Sequence, residues 1–152
     1  MWRVGNSVIF TDQYDSLNVE VGFSPVNVVK FWRLEANKSL YYSKEYTRSS
    51  KTNNYTILYE RDGAETFGFI KFFLELQSSL RSSDFCVIAV VDELSTAPFL
   101  TGSVIVPHLH VIESQQQAFI PISYIRQKCI LIDIGDNVVI ARPFDFCARL
   151  ST

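Results

Sequence analysis

Short apolar and aromatic runs alternate with polar turn formers along this chain, and that pattern predicts β-strands. The clearest run, residues 85–91, is continuously apolar, which is typical of a strand buried on both faces. Its valines and isoleucine are β-branched and favour a strand over a buried helix. The predicted strands are residues 26–35, 40–46, 54–60, 66–76, 85–91, 105–113, 117–122, 128–134 and 137–142.

Turn residues separate these strands. Asp62-Gly63 lies within residues 61–65 and predicts a hairpin, and Gly135-Asp136 predicts a second one. A short helical turn is predicted over residues 122–127, with Ser123 as its capping residue. Polar segments rich in Ser, Thr, Asn, Gly or Pro predict loops at residues 47–54, 77–84 and 93–103.

Eight to nine short strands with hairpin-length connections predict an all-β fold, antiparallel and either barrel-like or a sandwich, with few short helices. The length of 152 residues fits a single domain over residues 1–152. Apolar residues make up 47% of the chain, which is enough to form a core and excludes a disordered chain. Closure into a barrel would hide the strand edges.

The cysteines and the apolar runs bear on location. Cys86, Cys129 and Cys147 are widely spaced in apolar surroundings, so we expect three buried free thiols in a reducing compartment. The first ten residues lack the pattern of a secretory signal, and no apolar run reaches the length of a membrane helix. These features predict an intracellular protein, nuclear or cytoplasmic, without a membrane partner.

Candidate chemistry is sparse. His108 and His110 are two residues apart, so in a regular strand both could face one metal ion. Two ligands do not complete a metal site, and the chain has no Gly-x-Ser-x-Gly motif and no glycine-rich phosphate loop. We therefore predict no catalytic residues and no cofactor.

The charge distribution suggests a binding face. Residues 30–51 hold six Lys or Arg against two Glu, a local charge of +4, so the other residues sum to −6 for the net charge of −2. Aromatic residues interleave with these cations, as in surfaces that bind phosphates and stack bases. A solvated strand face with its rings turned inward is the other interpretation. The predicted binding residues, around the loop 47–54, are Tyr42, Lys44, Tyr46, Arg48 and Lys51.

Two stretches carry a family resemblance. Residues 40–72 combine Leu-Tyr-Tyr-Ser-Lys-Glu-Tyr-Thr-Arg with Phe-Gly-Phe-Ile-Lys-Phe-Phe, and residues 120–132 read Ile-Pro-Ile-Ser-Tyr-Ile-Arg-Gln-Lys-Cys-Ile-Leu-Ile. This order resembles a β-rich module of animal proteins derived from mobile elements. The second stretch is similar to the closing strands of bromo-adjacent homology domains, β-barrel-like modules that bind histone tails or other chromatin proteins. The resemblance implies a chromatin or nucleic-acid setting.

These observations predict a non-catalytic interaction module that binds a chromatin-type protein or nucleic acid through its basic, aromatic-rich face. A small-molecule-binding β-barrel is the first alternative, because many aromatic side chains could line a cavity. A metal-assisted hydrolase that uses His108 and His110 is the second alternative.

Overall fold

The computed structural model describes residues 7–8, 27–36, 38–45, 55–77, 85–135 and 137–143, and these form an all-β, antiparallel fold as predicted. One 3-10 helix, Ile122–Tyr124, interrupts the strands. No helix within these ranges is long and apolar enough to cross a lipid bilayer. The strands are β1 (Ser7–Val8), β2 (Asn27–Phe31), β3 (Arg33–Ala36), β4 (Ser39–Tyr42), β5 (Thr56–Arg61), β6 (Ala64–Gln77), β7 (Phe85–Thr101), β8 (Val104–Pro121), β9 (Ile125–Lys128), β10 (Ile130–Ile134) and β11 (Asn137–Ala141).

Nine of these strands form one sheet in the order β1-β2-β6-β7-β8-β11-β10, and β5 pairs with both β6 and β9. Among the described strands no pairing closes this sheet into a barrel, and the chain changes pairing partner between β9 and β10 at Cys129. Its N–H donates to the Thr56 carbonyl at 2.8 Å, while β9 pairs with β5 and β10 pairs with β11. Of the two predicted architectures, the open, sandwich-like one therefore fits.

The strands are longer than predicted around the hairpin of β7 and β8. These strands have 17 and 18 residues, so the predicted loop 93–103 is largely strand, and predicted strands 105–113 and 117–122 are one. Ser95, Thr96 and Thr101, which suggested a loop, lie in the ladder with β8 instead, and Ser95 and Thr101 are exposed. Gly102, with φ of 65°, supplies the turn.

Other boundaries also shift. Predicted strand 26–35 is interrupted at Trp32, predicted strand 40–46 ends at Tyr42, and predicted strand 128–134 is interrupted at Cys129. The helical turn is shorter than predicted, and Ser123 does not cap it because it lies inside the helix, which follows Pro121. These interruptions occur where the chain changes pairing partner, which local alternation does not encode.

Both faces of the main sheet are buried. On one face, the hairpin of β3 and β4 contributes Leu34 and Tyr41 to a core cluster with residues of β5, β6 and β7. The other face holds a second cluster, with residues of β2, β6, β7 and β8. A bulge at Lys71 in β6 shifts the register between Ile70 and Phe72, so Phe72 lies on the face opposite to Ile70.

A third cluster, here called the inner cluster, explains how the sheet curves. It brings together buried side chains from strands far apart in the sheet order, with Ile112 of β8 and Leu131 of β10 packed against them. Its buried members are Leu58, Phe67, Phe69, Leu94, Cys129 and Ile140. Side chains fill this interior, and clefts open beside it.

Candidate functional site

The structure describes two of the five predicted binding residues, Tyr42 and Lys44. Tyr42 is the last residue of β4, and its ring centroid lies 5.7 Å from the Arg33 guanidinium carbon. Lys44 lies in the following turn, where its N–H donates to the Ile70 carbonyl at 2.7 Å. Because β4 ends at Tyr42, Lys44 does not continue the strand face predicted for it. Tyr46, Arg48 and Lys51 lie outside the described residues.

Several cations, both within residues 30–51 and elsewhere, lie over aromatic rings of the same chain. Lys30 Nζ is 4.1 Å from the Phe72 ring centroid and 5.5 Å from that of Trp32. Lys128 Nζ, from β9, lies 5.7 Å from the Tyr41 ring centroid. Such contacts stabilise the folded chain, and they leave fewer open ring faces on which a base could stack.

Lys44 lies at the rim of a cleft of about 380 Å³, here called the Lys44 groove. Its Nζ is 5.1 Å from the Phe69 ring centroid. The apolar lining comes from β6, β8, β10 and β11 and from the residue before β5, and the polar side chains of Gln115 and Asn137 complete it. The apolar lining residues are Tyr55, Phe69, Val111, Ile112, Leu131 and Val138.

The groove exists because β8 and β11 separate. These strands pair only between residues 109–111 and 139–141, whereas β8 continues to Pro121 and β11 already begins at Asn137. The space between them exposes part of the inner cluster. Lys44 and Tyr55, the described residues that precede and follow the predicted binding loop in the sequence, both line this groove.

Sequence reasoning identified Lys44 and missed the rest of the groove. Its apolar lining residues belong to segments whose sequence pattern is that of ordinary half-buried strands. No local sequence feature marks the point where two distant strands separate. The charge of Lys44 is also uncompensated within the described ranges, where the ion pairs are Arg126–Glu60 and Arg142–Glu65.

A second cleft, of about 340 Å³, opens beside Phe67. Arg142 forms a bidentate ion pair with Glu65 there, with N–O distances of 2.6 and 3.3 Å. The His110 ring packs against Phe67 with their centroids 4.9 Å apart. Thr66 and Thr96 complete the polar lining.

His108 and His110 do not lie in a regular stretch of strand, so the prediction from their spacing that both face the same side does not apply. His108 has a φ of 66° and lies where the register between β7 and β8 shifts, so the alternation of faces fails at that point. No group of three or more His, Cys, Asp or Glu that could hold a metal ion occurs within the described ranges. Burial lowers the pKa of His110, and the nearby His108 and Arg142 lower it further.

Because the pKa of His110 is lowered in the folded chain, we expect the free energy of unfolding to depend on pH. A histidine whose pKa is lower in the folded state loses stability as pH falls below its unfolded value of about 6.5. We therefore expect the wild type to lose more stability than His110→Gln when urea unfolding is compared at pH 7.5 and pH 5.5. His108→Gln is the control and should keep most of the dependence, because burial remains. Equal losses in all three proteins would contradict the assignment.

Two of the three cysteines are described, and both are free thiols as predicted, but the predicted burial holds for Cys129 and not for Cys86. Cys129 is buried in the inner cluster, and burial raises its pKa to about 12. Cys86 is partly buried, and burial raises its pKa as well. A nucleophilic cysteine needs a lowered pKa, so neither thiol has the environment of one. Cys147 lies outside the described residues.

The fold and the groove define the class of this protein as an all-β antiparallel domain with an apolar groove. The groove lies where β8 and β11 separate, and a lysine lies at its rim. Comparison with protein-family models, with curated proteins and with solved structures found no match for this chain. The resemblance to mobile-element and bromo-adjacent homology modules therefore stays a prediction.

Proposed function

We propose that this chain is a non-catalytic interaction module that binds a protein partner at the Lys44 groove. The observation that carries the proposal is the position of Lys44, an exposed cation without a carboxylate partner among the described residues, beside an apolar cleft. An apolar side chain of the partner would enter the cleft, and an adjacent acidic side chain would pair with Lys44.

The size and lining of the groove support a peptide anchor. A volume of about 380 Å³ is at the lower end of the range for ligand sites, about 300–1,000 Å³. Such a cleft can hold one or two apolar side chains, and its wall of Tyr55, Phe69 and Leu131 is apolar. Gln115 and Asn137 at its rim can bond to a peptide backbone.

A protein partner is favoured over nucleic acid. Base stacking needs open aromatic faces beside cations, and here Lys30, Arg33 and Lys128 already lie over rings of the same chain. A chromatin protein is compatible with the sequence resemblance. Lys44 disfavours a strongly basic histone tail and favours an acidic segment, because like charges repel.

The small-molecule alternative has less support. Leu58, Phe67 and Ile140 are buried members of the inner cluster and occupy the interior that a ligand would need. The described sheet is not closed into a barrel. The groove could still hold a small carboxylate, which the experiment below includes as a separate probe.

Lys44→Glu should weaken binding of acidic, apolar peptides by about tenfold or more, which corresponds to about 1.4 kcal/mol. The measurement is fluorescence anisotropy with three kinds of probe: decapeptides with Asp or Glu beside Leu, Val or Phe; histone-tail peptides; and single-stranded DNA or RNA. A medium-chain fatty acid tests the carboxylate alternative. Val138→Lys should weaken peptide binding independently, because it places a charge on the apolar wall.

Lys38→Glu is the matched control. Lys38 is an exposed lysine at the turn between β3 and β4 and does not line the groove, so its reversal changes net charge equally and should leave peptide affinity unchanged. If Lys38→Glu and Lys44→Glu weaken peptide binding equally, the effect arises from net charge alone and not from the groove. Tighter binding of nucleic acid than of any peptide, lost with Lys44→Glu, would replace the protein partner by nucleic acid.

A further inference from the structure

One edge of β8 is open beside the Lys44 groove. On one side β8 pairs with β7 except at two register shifts, residues 107–109 and Glu113, but on its other side β11 covers only residues 109–111. Residues 114–117, Ser-Gln-Gln-Gln, are exposed. Among the described strands, none pairs with this stretch on the side away from β7. Its outward backbone N–H and C=O groups are therefore available to another strand.

A bulge accompanies the opening of this edge. Ser95 pairs with Ser114 and Thr96 pairs with Ile112, so Glu113 is the extra residue in β8. Bulges bend the strand and interrupt its ladder, and β11 leaves β8 at Val111, two residues before Glu113. After the bulge, residues 114–117 pair regularly with β7 and form an ordinary extended edge.

The open edge lacks the residues that usually protect one. Proteins guard exposed edges with Pro, with Lys or with bulges. In the same hairpin, Pro98 lies in β7 and Pro107 lies in β8, where proline is tolerated on edge positions. Residues 114–117 contain neither proline nor lysine. Within the described residues this stretch is unpaired on its outer side, and the bulge at Glu113 lies before it and not within it.

The geometry joins this edge to the groove. Gln115 pairs with Leu94 of the inner cluster, so both lie on the groove face of the sheet, and Gln115 lines the groove. A strand added along residues 114–117 would direct every second side chain toward that face. Those side chains would meet the apolar wall formed by Leu131 and Val138 and the cation of Lys44.

We propose that the partner binds as an extended peptide that adds a β-strand to the open edge of β8 at residues 114–117. Its alternate side chains, apolar and acidic, enter the Lys44 groove and pair with Lys44. This inference rests on the proposed function and specifies its binding mode. Main-chain hydrogen bonds supply affinity and the groove supplies specificity, as in other complexes formed by strand addition. Four edge residues span about 13 Å, which matches a peptide core of about four to six residues.

The test uses N-methylated peptides. The parent is the tightest-binding member of a library of hexapeptides with Leu, Val, Phe, Asp or Glu at every second position and Ser between. N-methylation at each position in turn removes one N–H donor and leaves the side chains intact. In a strand ladder only alternate residues direct their N–H to a given neighbour, so binding should fall about tenfold or more at every second position and change little at the others.

Proline variants of the protein give a second readout. Neighbouring residues in β8 direct their N–H groups to opposite sides, so one of Gln115→Pro and Gln116→Pro loses a bond to β7 and is destabilised. The other loses only an outward donor and should keep the wild-type melting temperature while peptide affinity falls about tenfold or more. If both variants unfold, the N-methylation pattern alone decides.

The outcomes separate the two proposals. Loss of binding with Lys44→Glu, together with N-methylation effects that are absent or do not alternate, would overturn strand addition and leave the groove as the binding site. Alternating effects that Lys44→Glu does not change would keep strand addition and overturn the role of Lys44. If no library member binds, both proposals are overturned.

Discussion

Replacing Ile88 with alanine is expected to lower the free energy of unfolding by about 2–5 kcal/mol, through lost burial and the cavity left behind. Ile88 is fully buried, at 0% exposure. It belongs to the cluster on one face of the sheet, while its neighbour Ala89 belongs to the cluster on the other face. Little room exists for the surroundings to collapse into the cavity. Urea unfolding followed by circular dichroism measures the change.

Phe85→Ala is the matched control in the same strand. Phe85 begins β7 and is 55% exposed, so its truncation should change stability by less than about half a kcal/mol, as is usual for surface sites. The ordering of the two variants is the result that matters. A change of less than about half a kcal/mol for Ile88→Ala would mean that the segment of β7 around Ile88 is not part of the core.

Replacing Tyr59 with phenylalanine is expected to cost about 1–3 kcal/mol, the penalty for leaving a partly buried polar group without its hydrogen bond. The Tyr59 ring is fully buried, and its hydroxyl donates to a carboxylate oxygen of Glu93 on β7. Burial raises the pKa of Tyr59, and the hydrogen bond to Glu93 raises it further, so the hydroxyl stays a donor at neutral pH. Differential scanning calorimetry together with urea unfolding measures the loss.

Glu93→Gln is the companion variant, because a glutamine oxygen can still accept the Tyr59 proton. It should cost less than Tyr59→Phe. Gly68 gives a third check: a Cβ at this position would lie 3.1 Å from Tyr59 Cε1 and 3.3 Å from the Asp92 carbonyl oxygen. Gly68→Ala should therefore displace the Tyr59 ring. Wild-type stability of Tyr59→Phe would show that the hydrogen bond to Glu93 contributes nothing.

Some features of the fold followed from the sequence because their causes are local. Asp62 and Gly63 adopt φ values of 53° and 79°, the left-handed pair that a two-residue hairpin requires, and Arg61 pairs with Ala64 across this turn. The second predicted hairpin is also present, with Ile134 paired to Asn137. Residues 88–91 of the predicted apolar run are buried on both faces of the sheet, whereas Phe85 at the start of the run is exposed.

Other features required the tertiary structure. The pattern of residues 93–103 is polar, and only pairing with a long partner strand makes most of it β-strand. Breaks at Trp32 and Cys129 mark changes of pairing partner, which depend on residues far away in the chain. The Lys44 groove also required the tertiary structure, because its lining residues come from strands far apart in the sequence.

The sequence by itself determined the all-β class, the hairpin turns, the buried residues 88–91 of β7 and the cation at Lys44, because each follows from composition, turn chemistry or local apolar patterning. The tertiary structure decided that the chain changes pairing partner at Cys129, that β8 and β11 part after Val111, and that the Lys44 side chain lies over Phe69. Alternation specifies which side of a strand is apolar, but which strands pair, and where a pairing stops, is settled by packing between distant segments.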